Sequence, residues 1–157
     1  MIANDQLVQL LLQFLLAGVG TLFFGIRFAV PRRTLLHCGL VGGVGWLVYE
    51  LAILYGMAPE AASLLAVIPL TMLSRVFAIL LKAPVTVFLL CGIFPLVPGA
   101  GIYYTASYFI QGDNALAVVN GISTFKIAVA LAVGISVVLS LPLPRRLFLR
   151  LPRKPRK

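Results

Sequence analysis

The chain has 157 residues, 61% of them hydrophobic and 11% charged, with 13 Lys and Arg against 4 Asp and Glu for a net charge of +9. A soluble domain is about a quarter charged and about half apolar, and a small globule has too much surface per volume to be coated by so few charges. An ordinary soluble domain and a disordered chain are both excluded, which leaves an all-α, multi-helix membrane protein.

A helix crossing about 30 Å of hydrocarbon takes about 20 apolar residues, so a chain of this length holds at most five or six spans. Met1 to Gln9 carries Asp5 and neither Lys nor Arg. It therefore lacks the basic start of a secretory signal, and the apolar stretch after it is expected to stay as a span. Span one is predicted from about Leu7 to Ile26, ending at Arg27, with Pro31, Arg32 and Arg33 in the following turn. Span two runs from about Leu35 to Tyr55 and holds Gly39, Gly42, Gly43 and Gly45, small residues that let a neighbouring helix approach closely. Gly56 to Glu60 is a tight turn, with Pro59 suited to the first turn of the next helix. Span three runs from about Ala61 to Leu81 and contains Pro69 and Arg75; Lys82-Ala83-Pro84 is the turn after it. Span four, Val85 to Ile110, is interrupted by Pro95-Leu96-Val97-Pro98-Gly99-Ala100-Gly101. Gln111 to Asn114 is a polar turn, and span five runs from about Ala115 to Leu141 before Pro142 and Pro144 end it.

Five spans put the termini on opposite sides, and charge selects which. If the C-terminal tail is cytoplasmic, so are the Arg27 to Arg33 and Lys82 turns. The cytoplasmic segments then hold eleven basic residues and no acid: Arg27, Arg32, Arg33, Lys82 and the seven of the tail. Asp5, Glu60 and Asp113 fall outside. The positive-inside bias thus predicts N-terminus out and C-terminus in. Residues 1–144 form one transmembrane helical domain and 145–157 a basic cytoplasmic tail. That tail has neither an aromatic platform nor a groove-reading element, so it reads as a membrane anchor and no nucleic acid is expected as a partner.

Polar groups inside spans carry the functional information. Val85 to Phe94 spans about 15 Å at 1.5 Å per residue, which sets the Pro95–Pro98 break near mid-depth. Unpaired backbone in hydrocarbon costs several kcal/mol per group, so such breaks persist only when buried or lining a watery cavity. Half-helix ends at that depth hold substrate in secondary transporters, where free N–H groups suit carboxylates. The bland alternative is a Pro-kinked packing helix. Pro95, Pro98, Gly99 and Gly101 are therefore candidate substrate-binding positions. Tyr103 and Thr105 could orient the ligand, the alternative being an interfacial aromatic belt. Lys126, near the middle of span five, costs roughly 2.5–3.5 kcal/mol at the midplane; it either reaches substrate, in one polar stripe with Asn120, Ser123 and Thr124, or pairs with a carboxylate on another helix or subunit. Arg75 either snorkels to the cytoplasmic surface or captures substrate. Glu50, the one acid well inside a span, is a candidate for proton coupling or an outer-rim residue. His37 is expected at the headgroups, and Cys38 and Cys91 as apolar packing residues. One His, no pair of acids within spans and no nucleophile elbow or Walker loop leave no enzyme constellation, and neither a metal nor a cofactor is expected.

The motifs Val30-Pro31-Arg32-Arg33-Thr34-Leu35, Cys38-Gly39-Leu40-Val41-Gly42, Gly45-Trp46, Ser74-Arg75, Pro84 and Gly92-Ile93-Phe94-Pro95-Leu96-Val97-Pro98-Gly99 resemble the threonine/serine exporter family. They are most similar to its short members, the small subunits of split exporters, over about residues 7–145. The Pro-Leu-Val-Pro-Gly run is the most specific of them. The resemblance implies a multi-pass subunit of a secondary exporter in the bacterial inner membrane, working with a larger subunit of the same family. Its cargo would be threonine and serine or a succinate-like dicarboxylate. The alternative is a non-transporting scaffold of a larger transport complex, and homo-oligomers remain open.

Overall fold

The computed structural model describes residues 4–142; the basic tail and the Asp5 side chain lie outside the described residues. The chain runs through α1 (Asn4–Arg27), α2 (Arg32–Leu54), α3 (Pro59–Leu81), α4 (Val85–Ile93), a 3-10 turn (Phe94–Leu96), α5 (Gly99–Ile110) and α6 (Asn114–Ser140). Four helices are long and apolar enough to cross a membrane, and a fifth crossing is reached if α4 and α5, bent by 54° at the break, count as one span. A helix stands at each predicted span, and the fourth is interrupted where expected.

The helices stop where the sequence removes donors or admits a left-handed residue. Pro31 and Pro84 stand just before α2 and α4, Pro59 is the first residue of α3, and the Asp113 carboxylate accepts from the Leu116 N–H at 3.1 Å to cap α6. The turns after α1, α2, α3 and α5 share one closure, in which an N–H reaches back five residues. Val30 bonds Gly25, Met57 bonds Ala52, Ala83 bonds Ala78 and Asp113 bonds Tyr108, at 3.0 to 3.1 Å. Each places a left-handed residue at the corner: Gly56 and Gly112 at φ 80°, Ala29 at 53° and Lys82 at 50°. This is the Schellman closure, which satisfies carbonyls that a helix end otherwise leaves bare.

α2 is the central helix, packed by α1, α3 and α4. Its glycines serve two neighbours. Gly42 lies so close to α1 that a Cβ there would fall 2.0 Å from the Thr21 hydroxyl, whereas Gly45 faces Leu70 of α3. The core gathers Val41, Val67, Leu70 and Phe88 with the free thiols Cys38 and Cys91, all buried. The thiols are packing groups, as expected. Outward faces of α1 carry Leu12, Leu16 and Phe23 exposed, the arrangement of a bundle whose solvent is lipid. α5 buries no residue and leans on α6.

A cavity at the helix break

Pro95 has no N–H to continue the ladder of α4, so the chain tightens: the Phe94 N–H bonds the Cys91 carbonyl, and the Val97 N–H is shared between Ile93 at 3.2 Å and Phe94 at 3.3 Å. Pro98 follows at φ −76°, ψ 58°, with the Gly99 N–H on the Val97 carbonyl at 2.7 Å. That is an inverse γ-turn, and it delivers the chain into α5. The Ile102 N–H bonds the Pro98 carbonyl at 3.1 Å. Between these two bonds, no carbonyl among the described residues accepts from the N–H groups of Ala100 and Gly101. Both donors sit at the positive end of the α5 dipole. Phe94 stacks on Phe24 of α1 at 3.8 Å and Leu96 is buried, which fixes the break against the bundle.

The break opens on a cavity of about 400 Å³, within the range of about 300–1,000 Å³ of small-molecule sites. Residues 95–101 form one wall, Trp46 and Tyr49 of α2 another; Ser63 of α3 and Asn120, Ser123 and Thr124 of α6 complete it. The Trp46 indole N–H donates to Gln13 of α1 at 2.6 Å, and the Trp46 and Tyr49 rings are 5.3 Å apart. The Asn120 amide N–H donates to the Leu116 carbonyl at 3.0 Å, leaving its oxygen as an acceptor. At 1.5 Å per residue, Gly99 lies about 17 Å from the far end of α5 and Ser123 about 14 Å from the start of α6. The cavity therefore runs from mid-depth toward the end of the bundle that holds the Glu60 and Asp113 turns.

Pro95, Pro98, Gly99 and Gly101 all line it, and the two glycines differ in surroundings. A Cβ on Gly99 would meet nothing within 4 Å, whereas one on Gly101 would strike the Thr124 hydroxyl at 2.3 Å. Thr105 donates to the Gly101 carbonyl at 2.7 Å and lines an adjoining apolar groove of about 1060 Å³ between α5 and α6, which shares Val97, Pro98 and Thr124 with the cavity. Tyr103 is 67% exposed, its ring against Tyr104, and lines neither space. Lys126 is exposed and lines neither as well, so the predicted polar stripe divides: Asn120, Ser123 and Thr124 face the cavity, and Lys126 turns away. Arg75 donates to the carbonyls of Val138 and Leu141, closing the end of α6 at the opposite pole of the bundle. Glu50 is half-buried one turn before the end of α2; its neighbour Tyr49 lines the cavity and Glu50 does not. His37 packs its ring edge on Phe77 at 4.8 Å, a helix-packing role where a headgroup contact is expected.

Sequence reading passed over Tyr49 and Ser63, and took Trp46 only as part of a motif. The available signal was the spacing of Trp46 and Tyr49, three residues apart and hence on one face of α2.

Long apolar helices, a broken helix and free backbone donors beside a partly polar cavity are the features of a polytopic membrane protein of the transporter class. The chain belongs to the threonine/serine exporter family: residues 13–141, from α1 to the end of α6, match the family model described as Threonine/Serine exporter, ThrE. No solved structure matches the chain.

Proposed function

We propose that the chain is a subunit of a secondary exporter for small carboxylate-bearing metabolites, threonine or serine or a succinate-like dicarboxylate, acting with a larger partner subunit in a bacterial inner membrane. The observation that carries this reading is the pair of unpartnered N–H groups at Ala100 and Gly101, two residues that line a cavity with polar groups in its walls inside an apolar bundle. Helix N-termini take anions because their donors are free and the dipole favours negative charge. The substrate carboxylate accepts from these two donors. Its amine, hydroxyl or second carboxylate meets the Asn120 oxygen and the hydroxyls of Ser63, Ser123 and Thr124, and Trp46 supplies an apolar wall. Export against a gradient needs a coupled ion, and Glu50 beside the cavity wall is the candidate carrier of a proton. The charge bias supports an orientation in which the cavity opens toward the outer surface. A scaffold without transport has no use for open donors at mid-depth, where each is costly.

The test is flux. Proteoliposomes with this chain and its co-expressed larger partner are loaded in turn with radiolabelled threonine, serine and succinate. Efflux of at least one, lost in Gly99→Val, is expected; efflux that Gly99→Val leaves unchanged refutes the site.

A further inference from the structure

α6 is covered on two sides. It meets α3 through Gly134, where a Cβ would fall 2.2 Å from Val67, and α5 through Thr124, against Gly101. A third face is bare. Ile122, Val129, Val133 and Val137 are 43% to 56% exposed, and Lys126 is exposed in the middle of the same stripe. At 1.5 Å per residue the Lys126 backbone is about 18 Å from the start of α6 and about 21 Å from its end. A four-carbon stem does not carry its ammonium to water from there. An aliphatic face alone would suit lipid; a charge at mid-depth does not, and such groups pair or face an aqueous path.

Among the described residues the chain offers no pairing group at that level. α5 contains no acid, α3 contains Glu60 alone, at its opposite end, and Asp113 stands at the cap of α6. Glu50 lies only four residues from the end of α2, about 12 Å nearer the surface than Lys126. That difference in depth, and not its burial, keeps a second copy from setting Glu50 opposite Lys126. We propose that this face of α6 docks a transmembrane helix of a different chain, one that carries an Asp or Glu at mid-span opposite Lys126. The aliphatic residues on either side of Lys126 supply the packing and the ion pair sets the register, since a buried charge pair penalises any alignment that leaves either group alone. The inference rests on the reading of this chain as part of a larger assembly, and not on where substrate binds.

The test uses the full chain in its native membranes. A benzophenone amino acid at Val129, one turn from Lys126 on the same stripe, is irradiated and the cross-linked peptide sequenced. The expected adduct is a membrane span of another chain that contains Asp or Glu. Lys126→Met should lower its yield about tenfold, the size of effect of one intramembrane polar contact of ~1.4 kcal/mol, while Lys126→Arg retains it. Lys126→Glu should abolish it, and exchanging the partner's acid for Lys should restore it. Adducts with phospholipid alone, with a second copy of this chain, or with a yield indifferent to Lys126→Met would each overturn the proposal. Efflux through Gly99→Val, measured on the same membranes, separates the two readings: full efflux there sinks the substrate site and leaves the docking result standing.

Discussion

Gly99 and Gly101 stand two residues apart on the same helix turn, and different forces hold them. Gly101 is required by the chain itself: a valine there drives into Thr124 of α6, so Gly101→Val should overpack the α5–α6 contact at about 1–3 kcal/mol and lower the thermal midpoint of the detergent-solubilised protein. Gly99 faces open space. Gly99→Val should leave that midpoint unchanged and abolish efflux, because the new methyls occupy the space through which a carboxylate approaches the Ala100 and Gly101 donors. Trp46 offers a direct readout, since the chain contains a single tryptophan. Saturating threonine, serine or succinate should shift its emission. Gln13→Leu, which removes the acceptor that orients the indole at 2.6 Å, should shift the emission of the unliganded protein and raise the apparent KM more than it lowers maximal flux. Emission that no substrate moves would argue against a ligand beside Trp46.

At the scale of elements, the four Schellman turns are alike in hydrogen bonding but unequal in strain. Gly56 and Gly112 reach a left-handed corner at no steric cost, whereas Ala29 and Lys82 carry a Cβ into it at φ 53° and 50°, which costs about 1–2 kcal/mol. Ala29→Gly should therefore stabilise the α1–α2 hairpin by about 1 kcal/mol, read as a higher thermal midpoint; a lower midpoint would mean that the Ala29 side chain contributes packing that outweighs the strain. Arg75 works on the other pole. Its guanidinium joins α3 to the last carbonyls of α6, a cation placed where the α6 dipole is negative. Arg75→Ala should fray that end, seen as faster amide exchange at Val138 to Leu141, while substrate affinity in the cavity at the opposite pole stays the same.

Over the whole molecule, the helices form an inverted globule with a small core of Val41, Leu70 and Phe88 around α2 and an apolar exterior. Its two ends differ in charge: Glu60 and Asp113 mark one, Arg32, Arg33 and Lys82 the other. Single cysteines placed in the Glu60 and Asp113 turns of a cysteine-free protein should label from outside intact cells, and one in the Arg32 turn only after the membrane is opened. Labelling of the Arg32 turn from outside would reverse the assignment.

The sequence by itself determined the spans, their ends and the break in the fourth. Those features follow from local chemistry: an apolar run of about 20 residues is one membrane crossing, and prolines at positions 31, 59, 84, 95 and 98 remove donors wherever they stand. It also picked out Pro95, Pro98, Gly99 and Gly101, which line the cavity, because a break in a helix is a property of its own backbone. The tertiary structure alone decided which side chains share the cavity. A helix residue turns by about 100° from its neighbour, so Ser123 and Lys126 lie within about 60° of each other and look like one polar face on paper. The contacts of Gly134 on Val67 and Thr124 on Gly101 fix the rotation of α6, and with it Ser123 points to the cavity and Lys126 outward. The same packing brought in Tyr49 and Ser63 from α2 and α3, and committed Arg75 to a helix end. Rotation about a helix axis is set by the neighbours that a helix meets, and no window of sequence contains them.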